Sequence, residues 1–264
     1  KMLAVIGAIN GVAPVAAPVI GGLLTGSVGW QGIFMILLFI GILLGIGCIR
    51  FKESLPAEKR SKTGVWATFR SFGIIVHNRR YMLYVFQLAF AQGILFAYIA
   101  SSPFIIQQHY GFSPFAFSIC FAVNAVAIGV AAALSVKFRR TENGTLTGCI
   151  GMLVFAVLQM AALYSGCGFW TYELLMFALL FMMGLTFTSS TTLAMDCERR
   201  YAGAASALLG ALCFASGGIV SPLVGLGDIL ISTGVTFVIC AVCSLLCALW
   251  AVRRTGPKVA LCRI

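Results

Sequence analysis

The chain has 264 residues, of which 61% are hydrophobic and only 9% charged, with a mean hydropathy of +1.03. A soluble globular domain carries about 25% charged residues, so the composition excludes an ordinary soluble fold and points to lipid as the solvent. The net charge of +11 would suit a nucleic-acid partner in a soluble protein, but the placement of the charges assigns them another role.

A membrane-spanning helix needs about 20 apolar residues to cross roughly 30 Å of hydrocarbon. Eight segments qualify: residues 3–24, 33–49, 81–104, 115–136, 146–164, 172–195, 202–226 and 229–252. Their length favours helices, since a barrel strand needs only about ten residues in strict alternation. The predicted fold class is therefore all-α, an integral membrane bundle of eight transmembrane helices.

The first span contains "GAINGVAPVAAPVIGG" (7–22), with two prolines and four glycines. At helical spacing, Gly7, Gly11, Pro14, Pro18 and Gly21 or Gly22 form one stripe without bulky side chains. Such a stripe lets another helix approach closely, which is how packing drives association in lipid. Each proline removes a backbone hydrogen bond and bends the helix, which a membrane span tolerates when neighbours or water satisfy the freed carbonyl. Sequence physics alone leaves a static seam and a moving one both open. "APVIGG" is echoed by "SPLVGLG" in the seventh span, with Pro18/Gly21 matched by Pro222/Gly225, which suggests a six-helix repeat.

Between the second and third spans, "TGVWATFRSFGIIVHN" places Val65, Phe69, Phe72 and Val76 at helical spacing. This predicts a short amphipathic helix on the membrane surface, with His77 solvated or interfacial. In the third span, Tyr84, Gln87, Ala91, Leu95 and Tyr98 share a face, with Gln92 alongside; the fourth carries Asn124 and the sixth "TFTSSTT" (186–192). Hydroxyls of that last kind commonly bond the carbonyl four residues back in their own helix.

All 18 Lys and Arg lie before the first span, after the second, fourth and sixth spans, or at the end of the chain. The alternate connections "TGSVGW", "QQHYGFSP", "SGCGFWTYE" and "GLGD" hold none. By the positive-inside rule both ends and every basic loop are expected to be cytoplasmic. The basic charge then fixes topology and meets anionic lipid, and nucleic acid is not an expected partner. Cys240, Cys243 and Cys247 share a helical face, but no His, Asp or Glu joins them, so neither a disulfide framework nor a metal site is expected. The chain begins at Lys1 and shows no signal peptide, and its opening reads as the middle of something longer.

The glycine- and proline-rich stripe resembles the antiporter motif of drug:proton antiporters in the major facilitator superfamily. "FKESLPAEKR" (51–60), "FAYIASSPFIIQQHYGFSP" (96–114), "FAVNAVAIG" (121–129) and "AGAASALLGALCFASGG" (202–218) resemble the bicyclomycin/chloramphenicol-resistance (Bcr/CflA) branch. The resemblance implies helices five to twelve of a twelve-helix transporter, with the first four missing. Residues 1–50 would be the last two helices of an N-terminal bundle, 51–80 a basic cytoplasmic linker, and 81–264 a C-terminal six-helix bundle with a cytoplasmic tail.

It further implies a multi-pass protein of the bacterial inner membrane that exports drug-like amphiphiles in exchange for protons and uses no cofactor. Gln87, Tyr98, Gln92, Asn124 and Ser190 are the expected substrate-binding residues, with Phe90 and Phe96 as apolar wall and Thr186 ranked lower. Each has a structural alternative, an interhelical hydrogen bond that only holds the bundle. The stripe Gly7 to Gly22 is the expected gating interface, meeting the fourth span. All seven acids are expected in loops or at helix ends, Glu173 among them, so proton coupling is assigned to the missing helices. A membrane-embedded enzyme is disfavoured because both histidines, His77 and His109, fall outside the spans; a non-transporting partial product is the other alternative.

Overall fold

A computed structural model describes the backbone of residues 2–50 and 72–253, and the side chains of these from residue 20 onward except residue 25. Among the described residues the chain is helical throughout, in this order: α1 (Met2–Arg50), α2 (Arg79–Pro103), a π-helical turn (Phe104–His109), α3 (Pro114–Ser135), α4 (Thr141–Tyr164), α5 (Phe169–Cys197), a 3-10 turn (Arg199–Tyr201), α6 (Ala202–Val224) and α7 (Ile229–Arg253). Seven helical segments among the described residues are long and apolar enough to cross a membrane, the first of them Gly26–Arg50.

The first two of the eight expected spans meet at a kink and not at a loop. The first two expected spans form one helical element, α1, broken only at Gly29, whose φ of 66° and ψ of 178° lie outside the helical region. That backbone region is open essentially to glycine alone, so the "TGSVGW" connection shrinks to a single residue. The first expected span is helical in backbone, but Gly7, Gly11, Pro14 and Pro18 lie outside the described side chains. None of residues 26–50 is buried.

The other connections follow from local chemistry. Asn78 caps α2, its Oδ1 accepting from Tyr81 N at 3.2 Å, and Ser113 caps α3, its Oγ accepting from Ala116 N at 3.2 Å. Asp228 begins α7 by accepting from Leu230 N at 2.8 Å and Ile231 N at 3.2 Å, just after Gly227 at φ 85°. This settles the boundary between the last two spans at residues 225–228. Pro103 has no N–H to give the carbonyl of Ile99, and the helix continues past it as the wider π-helical turn.

Residues 72–77 are helical, matching the C-terminal part of the expected amphipathic helix; Val65 and Phe69 lie outside the described residues. Its buried residue is Ile75, while Val76 is exposed, so the buried face is offset by one position from the expected one. The His77 side chain is exposed, its Nδ1 bonded to Gly73 O at 2.7 Å.

In the bundle, α2 is central, packing on α5, α6 and α7; α4 packs on α5 and α7, and α3 on α5 and on α1. Glycines allow the closest crossings. A Cβ at Gly184 of α5 would lie 2.5 Å from Ile128 O of α3, and one at Gly148 of α4 would lie 2.8 Å from Met182 O of α5. The core divides into two clusters. The smaller joins Ile75, Tyr81, Tyr84, Val85, Ala194, Ala205 and Ala251 at the end of the bundle bearing the basic connections. The larger runs from Ala91 to Tyr98 of α2 and through Ile105 and Ile106 of the π-helical turn, with the facing parts of α4 to α7.

Candidate binding site

Of the sequence-predicted polar residues, Tyr98 and Asn124 come together. Tyr98 is fully buried in α2, its ring stacked on Phe121 of α3 at 5.4 Å between centroids. Asn124 is 1% exposed, and its Nδ2 donates to Tyr98 Oη at 3.1 Å and to Glu173 Oε1 at 2.8 Å. Three helices thus contribute one side chain each to a polar centre within apolar surroundings.

Glu173 is the principal correction. It was expected in a loop or at a helix end, but Gly168 at the N-cap starts α5 at Phe169. Glu173 is therefore the fifth helical residue, partly buried, next to Tyr172, which is fully buried in the core. Tyr172 anchors this first turn against Tyr110, with ring centroids 5.8 Å apart, and so carries the following carboxylate inward. Tyr110 itself donates from Oη to Cys167 O at 2.9 Å, and burial pushes its phenol above the ordinary value. Among the described residues, Glu173 Oε2, Asn124 Oδ1 and the Tyr172 hydroxyl are buried with no hydrogen-bond partner.

A signal for Glu173 was present in the sequence. Only two acids, Glu173 and Asp228, lie in the connections free of Lys and Arg. Asp228 is consumed as a helix cap, which leaves Glu173 as the carboxylate without a structural task. Gln159 of α4 also escaped attention; it is fully buried, with neither side-chain polar atom partnered.

The remaining predicted residues sit elsewhere. Gln87 is fully buried, its Nε2 donating to Ser244 Oγ of α7 at 3.1 Å and to Cys149 Sγ of α4 at 3.5 Å, while Ser244 Oγ donates back to Gln87 O at 3.2 Å. That geometry ties three helices together. Ser190 pairs with Thr145 of α4 at 3.1 Å, and Thr186 donates to Met183 O of its own helix at 2.7 Å. Gln92 is partly buried with Oε1 unpartnered. Phe96 packs against Phe214 of α6 at 5.9 Å and covers Gly217.

At the seam, a Cβ on Gly22 would collide with Ser118 Oγ of α3, whereas one on Gly21 meets no described atom within 4 Å. No group of three or more His, Cys, Asp or Glu suited to a metal ion occurs among the described residues.

A bundle of apolar helices long enough to span a bilayer, with polar side chains from several helices meeting inside it, defines a multi-pass membrane protein of the transporter class. The Major Facilitator Superfamily model matches residues 1–222, and the chain belongs to that family, whose members are transporters and not enzymes. It is 36% identical over 235 residues, 86% of its length, to the uncharacterized MFS-type transporter YdgK of Bacillus subtilis (strain 168). It is 27% identical over 232 residues, 85% of its length, to the bicyclomycin resistance protein homolog of Haemophilus influenzae. It is also 25% identical over 115 residues, 44% of its length and 28% of the relative's, to the multidrug transporter MdfA of Edwardsiella ictaluri. The chain spans 58% and 57% of the first two relatives.

Proposed function

We propose that the whole protein exports small amphiphilic compounds by proton-coupled antiport, alternating access between the two sides of a bacterial inner membrane. The observation that carries this reading is the buried polar centre of Tyr98, Asn124 and Glu173 in an otherwise apolar bundle, because polar groups held inside a membrane mark substrate or ion pathways. Two relatives are named for bicyclomycin resistance and multidrug transport, which supports the compound class. Tyr98, Asn124 and Gln92 are assigned to substrate, while Gln87 and Ser190 hold the bundle. Residues 1–50 are assigned to an N-terminal bundle, 51–80 to a linker and 81–264 to a C-terminal bundle, with both chain ends cytoplasmic by the distribution of Lys and Arg. The stripe from Gly7 to Gly22 is the moving interface, supported by the close approach of Gly22 to α3. The coverage of 58% of a relative supports a second reading, that these residues alone do not transport.

The test is drug accumulation in a bacterial host stripped of its own efflux pumps and expressing the whole protein. Lower accumulation of amphiphilic compounds, abolished by a protonophore, is the expected result, and Tyr98→Phe raises accumulation again for a subset of compounds at unchanged protein level. Undiminished accumulation of every compound, with the protein present in the membrane, overturns the reading.

A further inference from the structure

We propose that Glu173, Asn124 and Tyr172 form a binding site for a protonated amine, an organic ammonium carrying N–H groups on an apolar tail. The argument is one of donors and acceptors. An ionised carboxylate only accepts hydrogen bonds, and an amide oxygen likewise. Glu173 Oε1 takes one bond from Asn124 Nδ2, and the same nitrogen also reaches Tyr98 Oη. That leaves Glu173 Oε2 and Asn124 Oδ1 as buried acceptors without a donor, beside the unpartnered hydroxyl of Tyr172. Tyr172 directly precedes Glu173 in α5 and shares a buried cluster with Tyr98, so the open groups belong to one part of the bundle.

Buried polar groups are almost always paired, and buried charges need a partner of opposite sign. The described residues supply none. Both ion pairs among them, Arg80–Glu142 and Arg199–Asp196, are at the basic end of the bundle. The described Lys and Arg all lie at that end too, and His109, the histidine at the end where α5 begins, is exposed with its ring against Tyr110. A group that is positive and donates would satisfy both open acceptors at once. An alkylammonium meets both conditions, its N–H groups reaching Glu173 Oε2 and Asn124 Oδ1. The surroundings suit the rest of it. The rings of Tyr98, Phe121, Tyr110 and Tyr172 belong to the same core, and aromatic rings attract cations; the neighbouring Ile94, Leu179 and Met183 are apolar. A quaternary ammonium carries the charge but cannot donate, and a neutral alcohol can donate but lacks the charge, so the site ranks them both below a primary amine.

The proposal rests on the export reading for its biological use, but binding is measured without transport. Octylamine, octyltrimethylammonium and octanol are titrated by calorimetry into the purified chain in lipid nanodiscs at neutral pH. Saturable octylamine binding is expected, with the other two weaker by about tenfold or more, the worth of a charge-assisted hydrogen bond. Glu173→Gln keeps the shape and an acceptor for Asn124 while removing the charge, and is expected to lower octylamine affinity by about the same factor. Tyr172→Phe removes only an unpartnered hydroxyl, so it retains the fold and weakens octylamine binding by a few-fold. Unchanged octylamine affinity in Glu173→Gln overturns the proposal, as does equal affinity for octyltrimethylammonium or octanol. In cells the two claims separate. If the whole protein still expels neutral amphiphiles while Glu173→Gln expels amines as well as the parent does, the amine site fails and the export reading stands.

Discussion

The two ends of the bundle solve the same problem in opposite ways. At the basic end, Asn78 Nδ2 donates to Glu198 Oε1 at 2.6 Å and to Cys197 O at 3.4 Å, Arg80 pairs with Glu142 at 3.7 Å, and Tyr81 Oη donates to Ala205 O at 2.6 Å. Among the described residues, Arg80 Nε, Gln87 Oε1 and Ser189 Oγ are buried toward that end without a hydrogen-bond partner. At the far end, Ser101, Ser102, Gln159, Thr233 and Tyr172 are all buried with side-chain polar atoms unpartnered, together with Asn124 Oδ1 and Glu173 Oε2. The contrast teaches that polar groups at the basic end act as fasteners between helices and loops. Those at the other end have no hydrogen-bond partner among the described residues. On the proposed export reading, alternating access would need both kinds of contact, one to close and one to receive.

The deepest way to break this contrast is to disturb the crossing on which both ends depend. Gly184 brings α5 against α3, and any Cβ there meets Ile128 O at 2.5 Å and Ala131 Cβ at 2.9 Å. Gly184→Val is expected to cost about 3 kcal/mol, the upper range for overpacking a close contact, and to lower the melting temperature in detergent sharply. Gly129→Val, on α3 with no atom within 4 Å of its Cβ, is the comparison and should leave melting within experimental error. Equal melting of the two variants would show that the α3–α5 crossing is loose.

A smaller effect sharpens the closed end. Asn78→Ala removes the cap of α2 and the contact with Glu198 together. A lost cap costs about 1 kcal/mol and a hydrogen bond to a charged group roughly 1.5 kcal/mol more, giving an expected loss of about 2.5 kcal/mol. Proteolysis at residues 72–78 should accelerate in the same variant, because Asn78 ties the end of that segment to Cys197 and Glu198. Unaltered melting and cleavage would remove Asn78 from the fastening.

How much of this was legible in the sequence differs between backbone and site. The helices were readable because lipid imposes a long apolar run on every span, and connections with and without Lys or Arg alternate between them. The single break at Gly29 was not, because a glycine with positive φ looks in sequence like any other turn glycine. Gln87 shows the limit for side chains. Its face on α2 was readable, but its partner Ser244 is 157 positions away, and nothing local says whether an amide meets a helix or a ligand. Glu173 was missed for a third reason. The start of α5 was placed at Tyr172, and moving it back to Phe169 turns an interfacial acid into one inside the bundle.

The finest test compares two tyrosines, Tyr81 and Tyr172, each fully buried and each at one end of the bundle. Their rings should contribute similarly, so removing only the hydroxyl isolates the hydrogen bond. Tyr81→Phe loses the bond to Ala205 O and leaves a buried carbonyl without its side-chain donor, for an expected loss of about 1 kcal/mol. Tyr172→Phe deletes a hydroxyl that has no partner, so burying it cost free energy that nothing returned; the variant is expected to be equally stable or more stable by up to about 1 kcal/mol. Melting of both proteins without ligand decides the sign, and octylamine then sharpens it. The parent should gain more thermal stability from the amine than Tyr172→Phe does, because the hydroxyl contributes only once the site is filled. If Tyr172→Phe loses as much stability as Tyr81→Phe, the Tyr172 hydroxyl is already paired and the two ends are built alike.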